Sequence, residues 1–229
     1  MAEEKPHYHG HRGRLRARFD KAGADGLPDY ELLELLLFRA MPRGDTKPLA
    51  KRLMERFGTI DGVLGAEEQA LKEVAGVGDA VVHTLKLVDA LRIRTLQEAV
   101  TGRPVIGTWQ AVLDYCAAQL GYKKTEHFRV LFLDNHNALI ADEEQQHGTI
   151  DHVVLYPREV IKRALEHGAS AVILVHNHPS GDPSPSRADI ELTREVAKAG
   201  ATLGVTVHDH LVIGRSRHVS LREAGLLGE

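Results

Sequence analysis

The run Ala171-Val172-Ile173-Leu174-Val175 is wholly apolar and passes without a break into His176-Asn177-His178-Pro179. A segment so short, with no polar position to turn toward water, reads as a strand buried on both faces. Such a strand needs cover on each side, and its neighbours supply it. Pro157–His167 (PREVIKRALEH) reads as a helix with proline in its first turn and Gly168 beyond its end. Ser186–Ala199 reads as a second helix, opening on a serine N-cap and followed by Gly200. Phe128–Asp134 and Ala138–Ala141 read as strands joined by the turn-formers Asn135-His136-Asn137. His152–Leu155, Val205–Ile213 and His218–Leu221 add further strands. Mixed strands and helices predict an α/β or α+β domain over residues 101–229.

Residues 1–100 have a different character. Asp29–Ala40 follows Pro28 and carries Leu32, Leu33, Leu36 and Leu37 at helical spacing. Thr46–Phe57 spaces Leu49, Leu53 and Phe57 along one helical face and ends at Gly58. Leu64–Val74 reads as a short helix and Ala80–Val100 as a long one. No stretch here alternates as a strand would, so a small all-α domain precedes the mixed one, with the seam at Thr101-Gly102-Arg103-Pro104. Within the first domain His7–Arg18 holds Arg12, Arg14, Arg16 and Arg18 and no acid. That stretch is either a solvated helix face or a phosphate contact.

Composition sets outer limits. With 43% hydrophobic and 27% charged residues the chain is an ordinary globular protein. A net charge of −3 gives no whole-protein field for nucleic acid. The single cysteine, Cys116, permits no intrachain disulfide and predicts a reducing compartment. The N-terminus lacks the apolar core of a signal peptide, and no apolar run approaches a membrane span, so the expected location is cytoplasmic. Cys116 in VLDYCAAQL reads as a buried small residue on a helix, and Trp109 as core.

The chemistry concentrates where the buried strand ends. His176 and His178 project from one face of extended backbone, and Asp189 returns in the first turn of the next helix. Pro179, Pro183, Pro185 and Gly181 shape the loop between them, and prolines there lower the entropy cost of holding ligands in place. The plain alternative is a pair of loop histidines, with Asp189 serving the helix dipole. Two imidazoles and a carboxylate without thiolate suit Zn²⁺ with a fourth position left for water. The C-terminal end of a sheet strand is also where α/β active sites gather.

The pattern H-x-H-x7-S-x2-D, met by His176, His178, Ser186 and Asp189, resembles the JAMM motif of MPN/JAB-domain metallopeptidases. The longer string HNHPSGDPSPSRADI is similar to the signature of RadC-like proteins. The likeness extends to LPDYELLELLLF, DTKPLAKRL, FRVLFLD, YPREV and HDHLVIG. It implies an MPN/JAB fold with a mixed sheet flanked by helices. It also implies one Zn²⁺ per chain held by His176, His178 and Asp189, with Ser186 steadying an oxyanion. The implied activity is a metallopeptidase or isopeptidase attack on a peptide or protein substrate. Such a site takes a general-base glutamate from outside the motif, for which Glu126, Glu143 and Glu144 are candidates. Glu126 stands just ahead of FRVLFLD, where the family's glutamate lies, and is the choice.

Three further features carry more than one reading. His208-Asp209-His210 is a second H-x-H, either a rival metal pair or a support for the first. Leu71–Ala80 resembles a helix-hairpin-helix element, in which Gly76, Val77 and Gly78 would bring backbone amides to a DNA phosphate, although Glu73 and Asp79 flank it. With Arg12–Arg18 this yields the alternative functions, a DNA-repair-associated binding protein or a zinc-dependent nuclease.

Overall fold

A computed structural model describes residues 10–147 and 155–227. It divides into two compact units, Met1–Leu91 and Arg92–Glu229, with the division inside a long helix.

The first unit is helical. It comprises α1 (His11–Ala22), α2 (Asp29–Ala40), α3 (Lys47–Phe57), α4 (Ile60–Gly65), α5 (Glu68–Lys72) and the first part of α6 (Asp79–Val100). Its core gathers Leu33 and Leu37 of α2, Leu49 and Leu53 of α3, and Leu71, Val81 and Leu85. The helix expected at Leu64–Val74 is instead two, α4 and α5. Thr59 caps α4 by accepting a hydrogen bond from the Gly62 amide, and extended backbone at Ala66 and Glu67 restarts the chain. The basic stretch becomes α1 from His11 onward; His7 lies outside the described residues. Its arginines turn inward as well as outward. Arg12 donates to the carbonyls of Met41, Pro42 and Gly44, Arg12 and Arg16 lie over the Phe38 ring, and Arg18 pairs with Glu31.

The second unit is a five-stranded mixed sheet between helical layers. Along the chain it runs α7 (Trp109–Leu120), β1 (His127–Leu133), β2 (Leu139–His147), α8 (Pro157–Glu166), β3 (Ala171–Asn177), α9 (Arg187–Ala201), β4 (Thr206–Ile213) and β5 (His218–Ser220). The order across the sheet is β2-β1-β3-β4-β5, and only β3 and β4 are parallel, joined through α9. Alternate residues of the central strands part to two cores. Leu131, Leu133, Ile173, Val175, Leu211 and Ile213 meet α7 through Val112, Tyr115, Cys116 and Leu120. Phe128, Val130, Phe132, Val172, Leu174 and Val207 meet Val160, Ile161, Ala164 and Val196 of α8 and α9. Every residue of β3 is therefore buried, as its apolar sequence requires. Cys116 is buried here, with its thiol pKa pushed up by burial, and Trp109 packs at the margin of the same core.

The strand expected to stop at Ala141 continues to His147, despite the polar run Asp142–Gln145. As an edge strand β2 satisfies those side chains laterally. Asp142 accepts from Arg129 at 2.9 Å and from the Tyr115 hydroxyl, and Glu144 meets His127 at 2.5 Å. Glu143 accepts from Arg163 Nε at 2.8 Å and sits 2.7 Å from His167, tying β2 to α8. The strand expected at His152–Leu155 lies, except for Leu155, outside the described residues. Among those residues, no helix is long and apolar enough to cross a membrane.

The Glu143 contacts fix a pH response. Hydrogen bonding from Arg163, partly opposed by burial and aided by His167, holds the carboxyl at about 2 against an ordinary 4.5. A depressed carboxylate stabilises the fold above its ordinary pKa, and that contribution is lost as pH falls toward the folded value. Glu143→Gln should therefore lower the urea midpoint at neutral pH, with the gap to wild type narrowing below pH 4.5. A gap independent of pH would remove the ion pair as its source.

Candidate metal centre

The site lies where β3 runs out. His176 is fully buried and stacks parallel to Phe128, the residue opposite it on β1, with ring centroids 5.6 Å apart. Asn177 serves the other face. Its Oδ1 accepts from the His127 amide at 2.9 Å, and its Nδ2 donates to the Thr125 carbonyl at 3.0 Å. His178 leaves the strand but stays anchored, its amide donating to the Ile213 carbonyl at 3.0 Å. Its Nδ1 donates to the Asp182 carbonyl at 2.9 Å, which turns Nε2 toward His176 and Asp189.

Asp189 enters from α9 through a capping box. The Ser186 hydroxyl accepts from the Asp189 amide at 3.2 Å, and the Ser186 amide donates to Asp189 Oδ2 at 2.6 Å. The same contacts that start the helix therefore aim its carboxylate. Asp189 Oδ1 lies 3.3 Å from His176 Nε2 and Oδ2 lies 3.6 Å from His178 Nε2, while the two Nε2 atoms are 3.0 Å apart. One donor atom from each residue converges within 4.8 Å, an arrangement compatible with a metal ion. Two nitrogens and a carboxylate oxygen converging on one place form a borderline-to-hard ligand set.

The electrostatics agree with ligation. Burial pushes His176 down to about 4, so it is neutral near pH 7. His178 is raised, first by its contact with Asp189, then by the Asp182 carbonyl and by the charge of Glu126. Burial raises Asp189, but His178, His176 and Ser186 outweigh it and hold the carboxyl well below its usual range. Protonation of His178 would compete with a metal at this point, so uptake would weaken as pH falls.

Glu126 immediately precedes β1. The register pairing Phe128 with His176 brings Glu126 level with His178, consistent with its electrostatic effect on that ring. The competing Glu143 and Glu144 are engaged elsewhere, with Arg163 and His167 and with His127 respectively. The second H-x-H does not form a pair. His208 reaches the Asn137 side chain at 2.5 Å, whereas His210 Nε2 lies 2.8 Å from His176 Nδ1. Asn177, Thr193 and Phe128 shape the site although sequence reading gave them no role. For Asn177 a signal existed, since a polar side chain on a doubly buried strand must find partners on the face opposite the histidines.

Gly214 lets the ligand loop close on the turn after β4. A Cβ there would stand 2.5 Å from the Gly181 carbonyl oxygen and 3.1 Å from Pro183 Cδ. Gly214→Ala should displace the loop bearing His178, costing about 1–3 kcal/mol in urea unfolding and roughly ten-fold in divalent-metal affinity. Wild-type affinity in a folded variant would mean the loop does not position His178.

A family profile described as RadC-like JAB domain matches residues 106–226, the span that contains the sheet and every residue of this cluster. The chain is also 59% identical over 213 residues to a UPF0758 protein of Rhodobacter capsulatus, covering 93% of this chain and all of the relative. The fold, the convergent His-His-Asp group and these matches agree: the chain belongs to the RadC family of JAB-domain proteins.

Proposed function

We propose that this protein is a zinc-dependent hydrolase of the JAMM type that cleaves an amide bond in a peptide or isopeptide. The observation that carries the reading is the convergence of His176 Nε2, His178 Nε2 and an Asp189 oxygen beside Glu126. His176, His178 and Asp189 would hold a Zn²⁺ there, which would polarise the substrate carbonyl and lower the pKa of a water toward neutrality. Glu126 then takes the proton of the attacking water on its carboxylate and returns it to the departing amine nitrogen. Ser186 keeps its hydroxyl proton after accepting from the Asp189 amide, and donates it to the carbonyl oxygen as negative charge develops. Asn177 holds the Thr125–His127 backbone, so Glu126 is presented without a large entropy cost at each turnover.

The DNA-binding reading has less support. Gly76 makes a left-handed turn between α5 and α6, as a hairpin does. Lys72, however, pairs with Asp79 at 2.8 Å, and Arg52 donates to the Ala75 carbonyl. Arg12, Arg16 and Arg18 are similarly engaged within their own unit, so the basic arm has a structural role without a phosphate.

Glu126→Gln preserves size but cannot accept the proton. It should retain wild-type zinc content and lose roughly 10²–10⁴-fold in single-turnover cleavage of a peptide-library substrate. Asp189→Ala should lose both zinc and cleavage. Full activity in Glu126→Gln would refute the general-base role. Zinc content unchanged in Asp189→Ala would refute the metal assignment.

A further inference from the structure

Behind the ligand cluster lies a buried chain of polar groups that the hydrolytic reading does not use. His176 Nδ1 is 2.8 Å from His210 Nε2, His210 Nδ1 is 2.6 Å from Thr193 Oγ1, and Thr193 Oγ1 is 2.5 Å from the Asp189 carbonyl oxygen. All three side chains are at most 1% exposed, so none can exchange its partner for water.

The direction of every proton in this chain follows from one fixed end. The Asp189 carbonyl can only accept, so the Thr193 hydroxyl proton points to it. Thr193 Oγ1 must then accept from His210, placing the His210 proton on Nδ1. His210 is wholly buried and its ring nitrogens meet a hydroxyl and a second imidazole, surroundings that do not support a charged ring, so its Nε2 is an acceptor. His176 must therefore carry its proton on Nδ1 and present a lone pair on Nε2, the atom that faces His178 and Asp189. His178 fixes its own Nδ1 proton on a backbone carbonyl, that of Asp182. His176 stands on a fully buried strand and has its proton fixed by relay.

The relay depends on a bulge. Val172 pairs with Val207 but Ile173 pairs with Asp209, so β4 holds an additional residue at His208. Val207 faces the α8 and α9 core. Strict alternation would send His210 to the opposite face; the bulge restores it to the face of His176. Stacking of Phe128 on His176 opposes rotation of that ring out of line.

We infer that Thr193 and His210 are positioning residues that set the tautomer of the ligand His176 through this ordered chain. The inference rests on the proposal that His176 binds the metal, but it concerns the metal-free protein and needs no turnover. Thr193→Val keeps the β-branched shape and removes the hydroxyl. With no acceptor at Nδ1, His210 shifts its proton to Nε2 and donates to His176 Nδ1. The His176 proton then moves to Nε2, where it blocks ligation.

The test is long-range ¹H–¹⁵N NMR of the imidazoles in metal-free protein, paired with zinc affinity by chelator competition. Wild type and Thr193→Ser should hold His176 in the Nδ1–H form. Thr193→Val should shift it toward Nε2–H and bind zinc roughly 10–100-fold more weakly, with its fold checked by circular dichroism. An Nε2–H His176 in the wild type overturns the inference, and so does a folded Thr193→Val variant with unchanged tautomer and affinity. If the tautomers behave as expected while no peptide is cleaved by any variant, the relay stands and the hydrolase reading fails.

Discussion

Complete burial of β3 is the condition on which this site rests. An apolar strand covered on both faces is inexpensive to fold, but β3 carries His176 and Asn177 into the same buried layer. A buried polar group without a partner costs about 1–3 kcal/mol, so each has to be met by groups from elsewhere in the fold. Asn177 is met by backbone before β1 and His176 by His210 of β4. Satisfying the strand thus binds together the segment that bears Glu126 and the helix that bears Asp189. Stability and site geometry are here the same set of hydrogen bonds.

The sequence was most legible where local chemistry and burial agree. Pro28 and the spacing of Leu33 and Leu37 locate α2 from Asp29 to Ala40 at both ends, because its core contacts repeat with the helical period. Ser186 at the start of α9 and the grouping of His176, His178 and Asp189 were equally readable, since a cap and a three-donor set are short-range patterns. What escaped depends on partners distant in sequence. The polar half of β2 gave no strand signal, because Asp142 and Glu143 are satisfied by Arg129 and Arg163 across the sheet and from α8. His208 and His210 looked equivalent as residues of one H-x-H. Only the bulge, a property of pairing with β3, separates a histidine that reaches Asn137 from one that supports His176.

The N-terminal unit makes the corresponding point about charge. Arg12 and Arg18 read as a basic surface along the sequence, yet the first binds three backbone carbonyls and the second meets a buried glutamate. Guanidinium groups carry enough donors to close loop ends where no backbone amide can reach. A cluster of arginines without interspersed acids can therefore be the sign of a helix whose counter-charges lie on its neighbour.

The capping box at Ser186–Asp189 has a consequence for how a metal would come and go. Asp189 is held by the first turn of α9, and His178 by the Asp182 carbonyl, contacts that need no ion to form. The proposed metal donors would thus form a preformed socket, unlike small zinc domains in which the ion itself organises the chain. If the proposed ion binds, its exchange would leave the scaffold standing, and the population of loaded protein would follow the metal supply of the surroundings instead of the folding equilibrium.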